Sequence, residues 1–491
     1  MLERDLLNKF ESVVFQRIDA NGDGEISPDE LSKYLESVGV KADRISALFK
    51  QLDADGNGKI TPEEFQTGFE HLAKCAPARA LVNSELLGPG DKFNDEDFLV
   101  VANQLKNSYE ELKLLPTYQL VIGLYFVYRR HTRLGYNDDI DGSTLDKSHA
   151  SVVKALLEDC RIADAVYSVS QEDVCEKTGL RPETVRIMST ESGPLKVAHF
   201  IAVQDTTESV VLALRGTDNF ADVITDLCCT SIPLTSGGYA HSGMLDAARS
   251  VIEHVSEHLK QLLTAHPTYS LRIIGHSLGA GTAALTAYLL RNLPPSDPLH
   301  ELLPPSKVSA VTFATPACMS SEVALSVSSY VTTVVLQDDI VPRTSLHNLE
   351  KLQIEIVQAD WLEEIPEGKA KDMFVKVFRA CTSQKAAEAI KKVEAATQQV
   401  ASKVGINIGT FFGNGLKEPS PVLGEGTPMF APGKLYHIRR MDDGARATLV
   451  EGTDESAFRS VVLSDTMVSD HLTGGEQAYL GCLERVLTQL L

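Results

Sequence analysis

A chain of 491 residues has room for a large core and two or three domains. Its 67 acidic residues against 46 basic ones leave a net charge of −21, which speaks against a nucleic-acid partner and against simple electrostatic docking on anionic lipid. Eight cysteines without regular spacing read as free thiols in a reducing compartment, so a cytoplasmic protein is expected.

The N-terminus, Met1-Leu-Glu-Arg-Asp, has no signal-peptide pattern, and Leu2 stands where myristoylation needs glycine. Residues 19 to 30 read Asp-Ala-Asn-Gly-Asp-Gly-Glu-Ile-Ser-Pro-Asp-Glu, and residues 53 to 64 read Asp-Ala-Asp-Gly-Asn-Gly-Lys-Ile-Thr-Pro-Glu-Glu. Both match the twelve-residue EF-hand loop at every liganding position. Calcium is a hard cation that takes six to eight oxygens, and each loop offers them at the required spacing. In the first loop Asp19, Asn21 and Asp23 supply side chains, Glu25 its carbonyl, Ser27 a water-bridged contact and Glu30 a bidentate carboxylate. The same roles fall to Asp53, Asp55, Asn57, Lys59 (carbonyl), Thr61 and Glu64 in the second. Apolar helical stripes flank both loops: Leu6, Leu7, Phe10, Val14 and Phe15 before the first, Leu48, Phe49 and Leu52 before the second, Phe65 and Phe69 after it. Residues 1–76 therefore read as an all-α calcium-binding pair.

Residues 77–114 form a linker, broken by Gly88-Pro-Gly-Asp91, and a helical segment. The apolar run Leu120 to Tyr128 is too short to span a bilayer and reads as a helix packed on the following domain. After Pro194 the pattern changes to strands: Val197 to Val203, Val210 to Leu214, Tyr269 to Ile274, Val308 to Phe313, Val331 to Leu336 and Leu435 to Arg439. Helical segments fall between them, at Leu245 to Leu263 and Ala280 to Leu290. Alternation of this kind predicts a mostly parallel sheet with helices on both faces, with reactive groups at the carboxyl ends of the strands.

Gly275-His-Ser-Leu-Gly279 sits between a strand and a helix, the layout of a nucleophile elbow, with Ser277 projecting from a sharp turn. The Leu278 amide faces the same point and can donate to an oxyanion. A second donor is expected from the loop after an early strand, where Thr217 follows Leu212-Ala-Leu-Arg-Gly. A serine hydroxyl needs a base and an orienting carboxylate, in chain order Ser, Asp, His on an α/β-hydrolase sheet. Asp339, after the strand 331–336, and His471, near the C-terminus, fit that order; Asp338 and His437 compete with them.

Phe220, Val223, Ile224 and Leu227 fall at i, i+3, i+4 and i+7 directly after Thr217, which marks them as a candidate lid helix, or else as a fixed core helix. A long insertion, at about 349–430, contains two apolar helical faces in a locally basic setting. One runs through Met373, Phe374, Val377, Phe378 and Cys381, the other through Ile390, Val393, Val400 and Val404. They read either as a gating or membrane-lying hairpin or as a helical pair packed on the domain. His254-Val-Ser-Glu-His258 matches a zinc-peptidase spacing, but it flanks the apolar stripe of the helix 245–263 at its solvent edge, as an ordinary surface helix would.

Taken in order, Arg215-Gly-Thr, Asp226-Leu, His241-Ser-Gly243, the elbow, Asp339-Ile-Val-Pro-Arg343 and Asp470-His471 resemble the motifs of the class 3 lipases. Pro432-Gly-Lys-Leu-Tyr-His437 is similar to a strand lead-in of the sn-1-specific diacylglycerol lipase branch. The resemblance covers about residues 115 to 491. It implies an α/β-hydrolase fold, a triad of Ser277, Asp339 and His471, and glycerolipid esters as substrates met at a membrane or droplet surface. Where the animal diacylglycerol lipases carry a membrane-spanning front, this sequence carries the EF-hand pair. The expectation is a calcium-regulated serine lipase, diacylglycerol its first candidate substrate, with peripheral membrane contact and two non-catalytic calcium sites. A phospholipase A1, a monoacylglycerol lipase and a calcium-dependent scaffold with an inactive hydrolase domain are the alternatives.

Overall fold

The chain is described from a computed structural model, which covers residues 15, 18–36, 49–50, 52–65, 123–124, 127–128, 131, 142–191, 193, 196–217, 223, 227, 230–358, 427–441, 447–452 and 457–491. It divides into two compact units, residues 1–129 with 353–423, and residues 130–352 with 424–491.

In the first unit the two acidic loops lie side by side. Ile26 and Ile60 form an antiparallel bridge, exchanging amide-to-carbonyl bonds of 2.8 and 2.9 Å. Both side chains are fully buried, Ile18, Leu31, Leu52 and Phe65 are buried too, and Phe15 meets Phe65 edge to face at 5.7 Å. Helix α1 (Pro28–Glu36) leaves the first loop with Asp29 and Glu30 in its first turn, where the helix dipole favours acids.

The second unit is built on a nine-stranded sheet. Its strands are β1 (Ser143–Thr144), β2 (Val185–Ser189), β3 (His199–Gln204), β4 (Ser209–Leu214), β7 (Ser270–His276), β8 (Val308–Phe313), β10 (Val331–Leu336), β12 (Lys434–Arg440) and β13 (Ala447–Gly452). They lie in the order β1-β13-β12-β10-β8-β7-β4-β3-β2. A small second sheet joins β5 (Ser231–Pro233), β6 (Tyr239–His241), β9 (Met319–Ser320) and β11 (Met429–Phe430) in the order β11-β9-β6-β5. The five central strands of the large sheet are mutually parallel, and the pairs beyond them on both sides are antiparallel.

The runs of Val, Ile, Leu and Ala in the centre are what a doubly covered parallel sheet requires; β4 is buried at every residue. The cover comes from two helix pairs: α2 (Ala150–Ala165) with α8 (Tyr479–Leu490), and α4 (Ser242–Ala265) with α5 (Leu278–Arg291). The other described helices are α3 (Gln171–Thr178), α6 (Ser321–Ser326) and α7 (Leu346–Gln358). This is the expected α/β architecture. The strands read from the sequence all form; β1, β2, β13 and the small sheet were not foreseen. The insertion faces at 373–381 and 390–404 lie outside the described residues.

Three central strands leave the sheet through a left-handed residue: Ser277 (φ 59°) after β7, Ala314 (φ 54°) after β8 and Gln337 (φ 40°) after β10. Non-glycine residues are held in this region only where the surroundings over-determine them. These turns gather chain at the carboxyl edge of the parallel strands.

Candidate active site

Ser277 occupies a backbone conformation of φ 59°, ψ −134° between β7 and α5, and its amide donates to the Phe313 carbonyl at 3.0 Å. The turn closes because Gly275 and Gly279 carry no side chain. A Cβ on Gly275 would lie 2.4 Å from the Gly279 carbonyl oxygen, and one on Gly279 would lie 2.5 Å from that of Leu214. Ser277 Oγ donates to His471 Nε2 at 2.9 Å, and His471 Nδ1–H donates to Asp339 Oδ1 at 3.0 Å. All three residues are buried, Ser277 to 1% exposure. Asp339 Oδ1 also accepts from the Val341 amide at 3.0 Å.

Thr217 lies three residues beyond the end of β4, which runs parallel to β7 with Leu214 opposite Gly275. Its neighbour Gly216 is pressed on the elbow, where a Cβ would come within 2.8 Å of Ser277 Cβ and 2.7 Å of the His276 carbonyl. Thr217, next to Gly216, and Leu278, next to Ser277, are both half-buried. The rivals from the sequence are engaged elsewhere. His437 Nε2 donates to the Gln337 carbonyl at 2.9 Å, and Asp338 meets the base loop through its amide, bonded to Asp470 Oδ2 at 3.1 Å.

The two acidic loops of the first unit share one wiring. Glu30 Oε1 accepts from the amides of Ala20 and Asn21 at 3.1 and 3.2 Å, and its Oε2 from Ser27 N and Oγ at 2.9 and 2.7 Å. Glu64 repeats this with Ala54, Asp55 and Thr61. Bonds from the Ser27 and Thr61 amides hold the carboxyl groups of Glu30 and Glu64 below the usual range. Asp19 caps Gly22, Asp23 and Gly24, and Asn21 and Asp23 bond to each other. Gly24 and Gly58 bend the loops at φ 85° and 84°. In the second loop Asp53, Asp55 and Glu64 bring carboxylate oxygens within 4.8 Å of one another, Asn57 bonds to Asp55 and Lys59 Nζ pairs with Glu25 of the first loop. Three carboxylate groups thus gather in the second loop, and oxygens are the donors a hard divalent cation selects.

Residues 211–349 match the family described as Lipase (class 3), and residues 8–70 match the EF-hand domain pair. The chain carries a class 3 lipase domain and an EF-hand pair. It is 31% identical over 215 residues to the diacylglycerol lipase-beta of Mus musculus, covering 40% of this chain and 30% of that protein. To the diacylglycerol lipase-alpha of Rattus norvegicus it is 26% identical over 295 residues, covering 56% and 26%. The chain thus spans less than a third of the length of these relatives. A solved lipase of Rhizopus microsporus var. chinensis is 23% identical with a TM-score of 0.36, covering 41% of this chain and 72% of that one.

Two residues of the lipase domain escaped the sequence reading. Tyr479, at the start of α8, donates from Oη to Asp339 Oδ2 at 2.8 Å and accepts from the Leu336 amide at 2.9 Å. Burial, and then the charge of Asp339, drive its phenol well above the usual range, so it remains a donor. Tyr479→Phe leaves a carboxylate oxygen and an amide unpaired in the core. It is expected to lower stability by about 1–3 kcal/mol and ester turnover by up to about 100-fold, read by thermal melting and initial rates.

His276 is the second. It meets the base from the position just before the nucleophile. Its Nε2–H donates to the His471 carbonyl at 2.8 Å, its Nδ1 accepts from Tyr167 Oη at 2.8 Å, and its ring lies 4.7 Å from that of His471. Burial, with His471 beside it, pushes its imidazole well below the usual range, so it faces the base as a neutral ring.

Of the lid candidates, Val223 and Leu227 are buried and joined by a helical bond from the Leu227 amide to the Val223 carbonyl at 3.1 Å. Phe220 and Ile224 lie outside the described residues. His254 and His258 ride on α4, with His254 Nδ1 turned back to the Ser250 carbonyl at 2.7 Å. Among the described residues no helix is long and apolar enough to cross a membrane.

Proposed function

We propose that this chain is a calcium-responsive serine lipase that hydrolyses fatty-acyl esters of glycerolipids, diacylglycerol first among them. The unbroken line from Ser277 Oγ through His471 to Asp339 carries the reading. Ser277 Oγ attacks the ester carbonyl while His471 Nε2 takes its proton. Asp339 holds the imidazole in the tautomer that accepts it and stabilises the imidazolium. The tetrahedral oxyanion is met by the amides of Leu278 and Thr217, each donor contributing about 3 kcal/mol to the barrier reduction. His471 returns the proton to the leaving alkoxide, then activates the water that releases the fatty acid.

With Ser277 at 1% exposure, an acyl chain reaches Oγ only after covering residues move, and the segment from Phe220 to Leu227 is the cover we assign. Asp19, Asn21, Asp23, Glu25 and Glu30 hold one calcium ion, and Asp53, Asp55, Asn57, Lys59 and Glu64 hold the other, Glu25 and Lys59 through their carbonyls. Calcium stays outside the chemistry and acts on lid position or on docking at the lipid surface from a cytoplasmic, peripheral location.

The test is fatty-acid release from diacylglycerol in mixed micelles, with calcium or with chelator. Wild-type release is expected to respond to calcium with a midpoint between about 10⁻⁷ and 10⁻⁵ M, and the response is expected to vanish in Glu30→Gln with Glu64→Gln. Equal release under both conditions reduces the EF-hand pair to structure or targeting. Release from a phospholipid or a monoacylglycerol instead of diacylglycerol reassigns the substrate. Failure of a fluorophosphonate probe to label Ser277 points to a calcium-dependent scaffold with an inactive hydrolase domain.

A further inference from the structure

We propose that Asp470, ion-paired to Arg440, is a positioning residue that holds the loop carrying His471 in register with the loop carrying Asp339. This rests on the hydrolase reading above. A triad works only while its base and acid stay within hydrogen-bond reach. Here the two come from loops 132 residues apart in sequence.

Two bonds join those loops directly. The Ile340 amide donates to the Met467 carbonyl at 3.2 Å, and the Asp338 amide donates to Asp470 Oδ2 at 3.1 Å. The second places the residue beside the base on the residue beside the acid. Oδ2 also accepts from Thr466 Oγ1 at 2.7 Å, and Oδ1 pairs with Arg440 Nη1. Asp470 has no exposure, and only 13% of the Arg440 side chain is exposed.

Arg440 extends the clamp. It ends β12, the strand beside β10, from which the Asp339 loop departs. Its amide donates to Gln337 Oε1 at 2.8 Å, its Nη1 to the Gln477 carbonyl at 3.0 Å and its Nη2 to Thr466 Oγ1 at 3.0 Å. Gln337 is the left-handed residue that turns the chain toward Asp339, and its carbonyl accepts from Arg343 Nη2 at 3.1 Å and His437 Nε2 at 2.9 Å. One ion pair thus ties the strand end, the acid loop, the base loop and the turn before α8.

The pair acts as a unit. Burial raises the Asp470 carboxyl to about 6, with Arg440 pulling the other way. Removing the guanidinium leaves a buried carboxylate that takes up a proton, and Asp470→Asn leaves the guanidinium without its counter-ion, so either change breaks the pair and releases the loops it joins. Neither side chain touches Ser277 or the oxyanion donors, so the defect belongs in kcat and not in substrate affinity.

The experiment uses the full chain and p-nitrophenyl butyrate, a soluble ester, with kcat referred to sites titrated to completion by a fluorophosphonate. Wild type and Ser277→Ala report on the hydrolase reading by itself. Asp470→Asn and Arg440→Gln are each expected to lower kcat about 30-fold with KM within about twofold, and the double variant to fall no more than about threefold further, as expected of coupled groups. An exposed control, Arg181→Gln, keeps the wild-type rate. Independently of turnover, the downfield proton of the His471 Nδ1 bond, read by nuclear magnetic resonance, is expected to shift or broaden in both clamp variants and to persist in the control. Wild-type kcat per titrated site in Asp470→Asn overturns the proposal. So does multiplication of the two single defects, or an unchanged proton signal.

Discussion

Ser277→Ala is expected to lower kcat for ester hydrolysis by about 10⁴-fold or more and to abolish labelling by a fluorophosphonate, while calcium binding and the melting temperature hardly change. The reasoning is geometric. Ser277 Oγ is the atom in the elbow that His471 Nε2 contacts, at 2.9 Å, and alanine fits the same turn with nothing displaced. Asp339→Asn should come close to the same loss, about 10⁴-fold, because an amide at Oδ1 presents a donor or a weak acceptor and releases the imidazole from the required tautomer. The two variants differ in labelling. Asp339→Asn keeps the hydroxyl and reacts slowly with the probe; Ser277→Ala cannot react at all. A Ser277→Ala enzyme that retained more than about a tenth of wild-type kcat would place the chemistry on another residue.

Gly279→Ala is expected to damage both stability and turnover. Its Cβ would stand 2.5 Å from the Leu214 carbonyl oxygen and 2.6 Å from the Arg215 carbonyl carbon. Those are backbone atoms, β4 is buried throughout, and neither side of the contact can swing away as a flexible side chain would. Overpacking of a rigid core costs about 1–3 kcal/mol and more where relaxation is blocked, so a loss of at least about 3 kcal/mol is expected. The methyl also pries α5 away from the strand that precedes Thr217, so Leu278 and Thr217 separate. Turnover per folded molecule should therefore fall as well, by about 100-fold. Thermal melting combined with active-site titration separates the two losses. An alanine variant with wild-type stability would mean that the elbow is less tightly packed on β4 than these distances state.

The local elements were legible because their signals are local. β8 and β10 run from Val308 to Phe313 and from Val331 to Leu336, the limits read from alternating and apolar runs. The elbow announced itself by two glycines around a serine, since a turn this sharp admits nothing larger. The acidic loops were legible for a related reason: a cation site built within twelve consecutive residues writes its donors at fixed spacing. The edges of the sheet were less readable. β13 and the small strands are short, and pairing partners, not their own composition, decide whether such segments become strands.

By itself the sequence determined the α/β class, the turn that must carry Ser277, and a short set of carboxylates and histidines able to serve it. Where each of these side chains lies was set by tertiary structure alone. His437 and His471 look alike as residues, but β12 carries His437 to the Gln337 carbonyl while the loop before α8 carries His471 to Ser277. The same holds for Tyr479 on Asp339, His276 against His471, and Asp470 with Arg440. These contacts join segments separated by 30 to 195 positions. Hydrogen bonds of this range depend on which strand ends the sheet order makes neighbours, and that order is set by burial summed over the whole core, which no local spacing encodes.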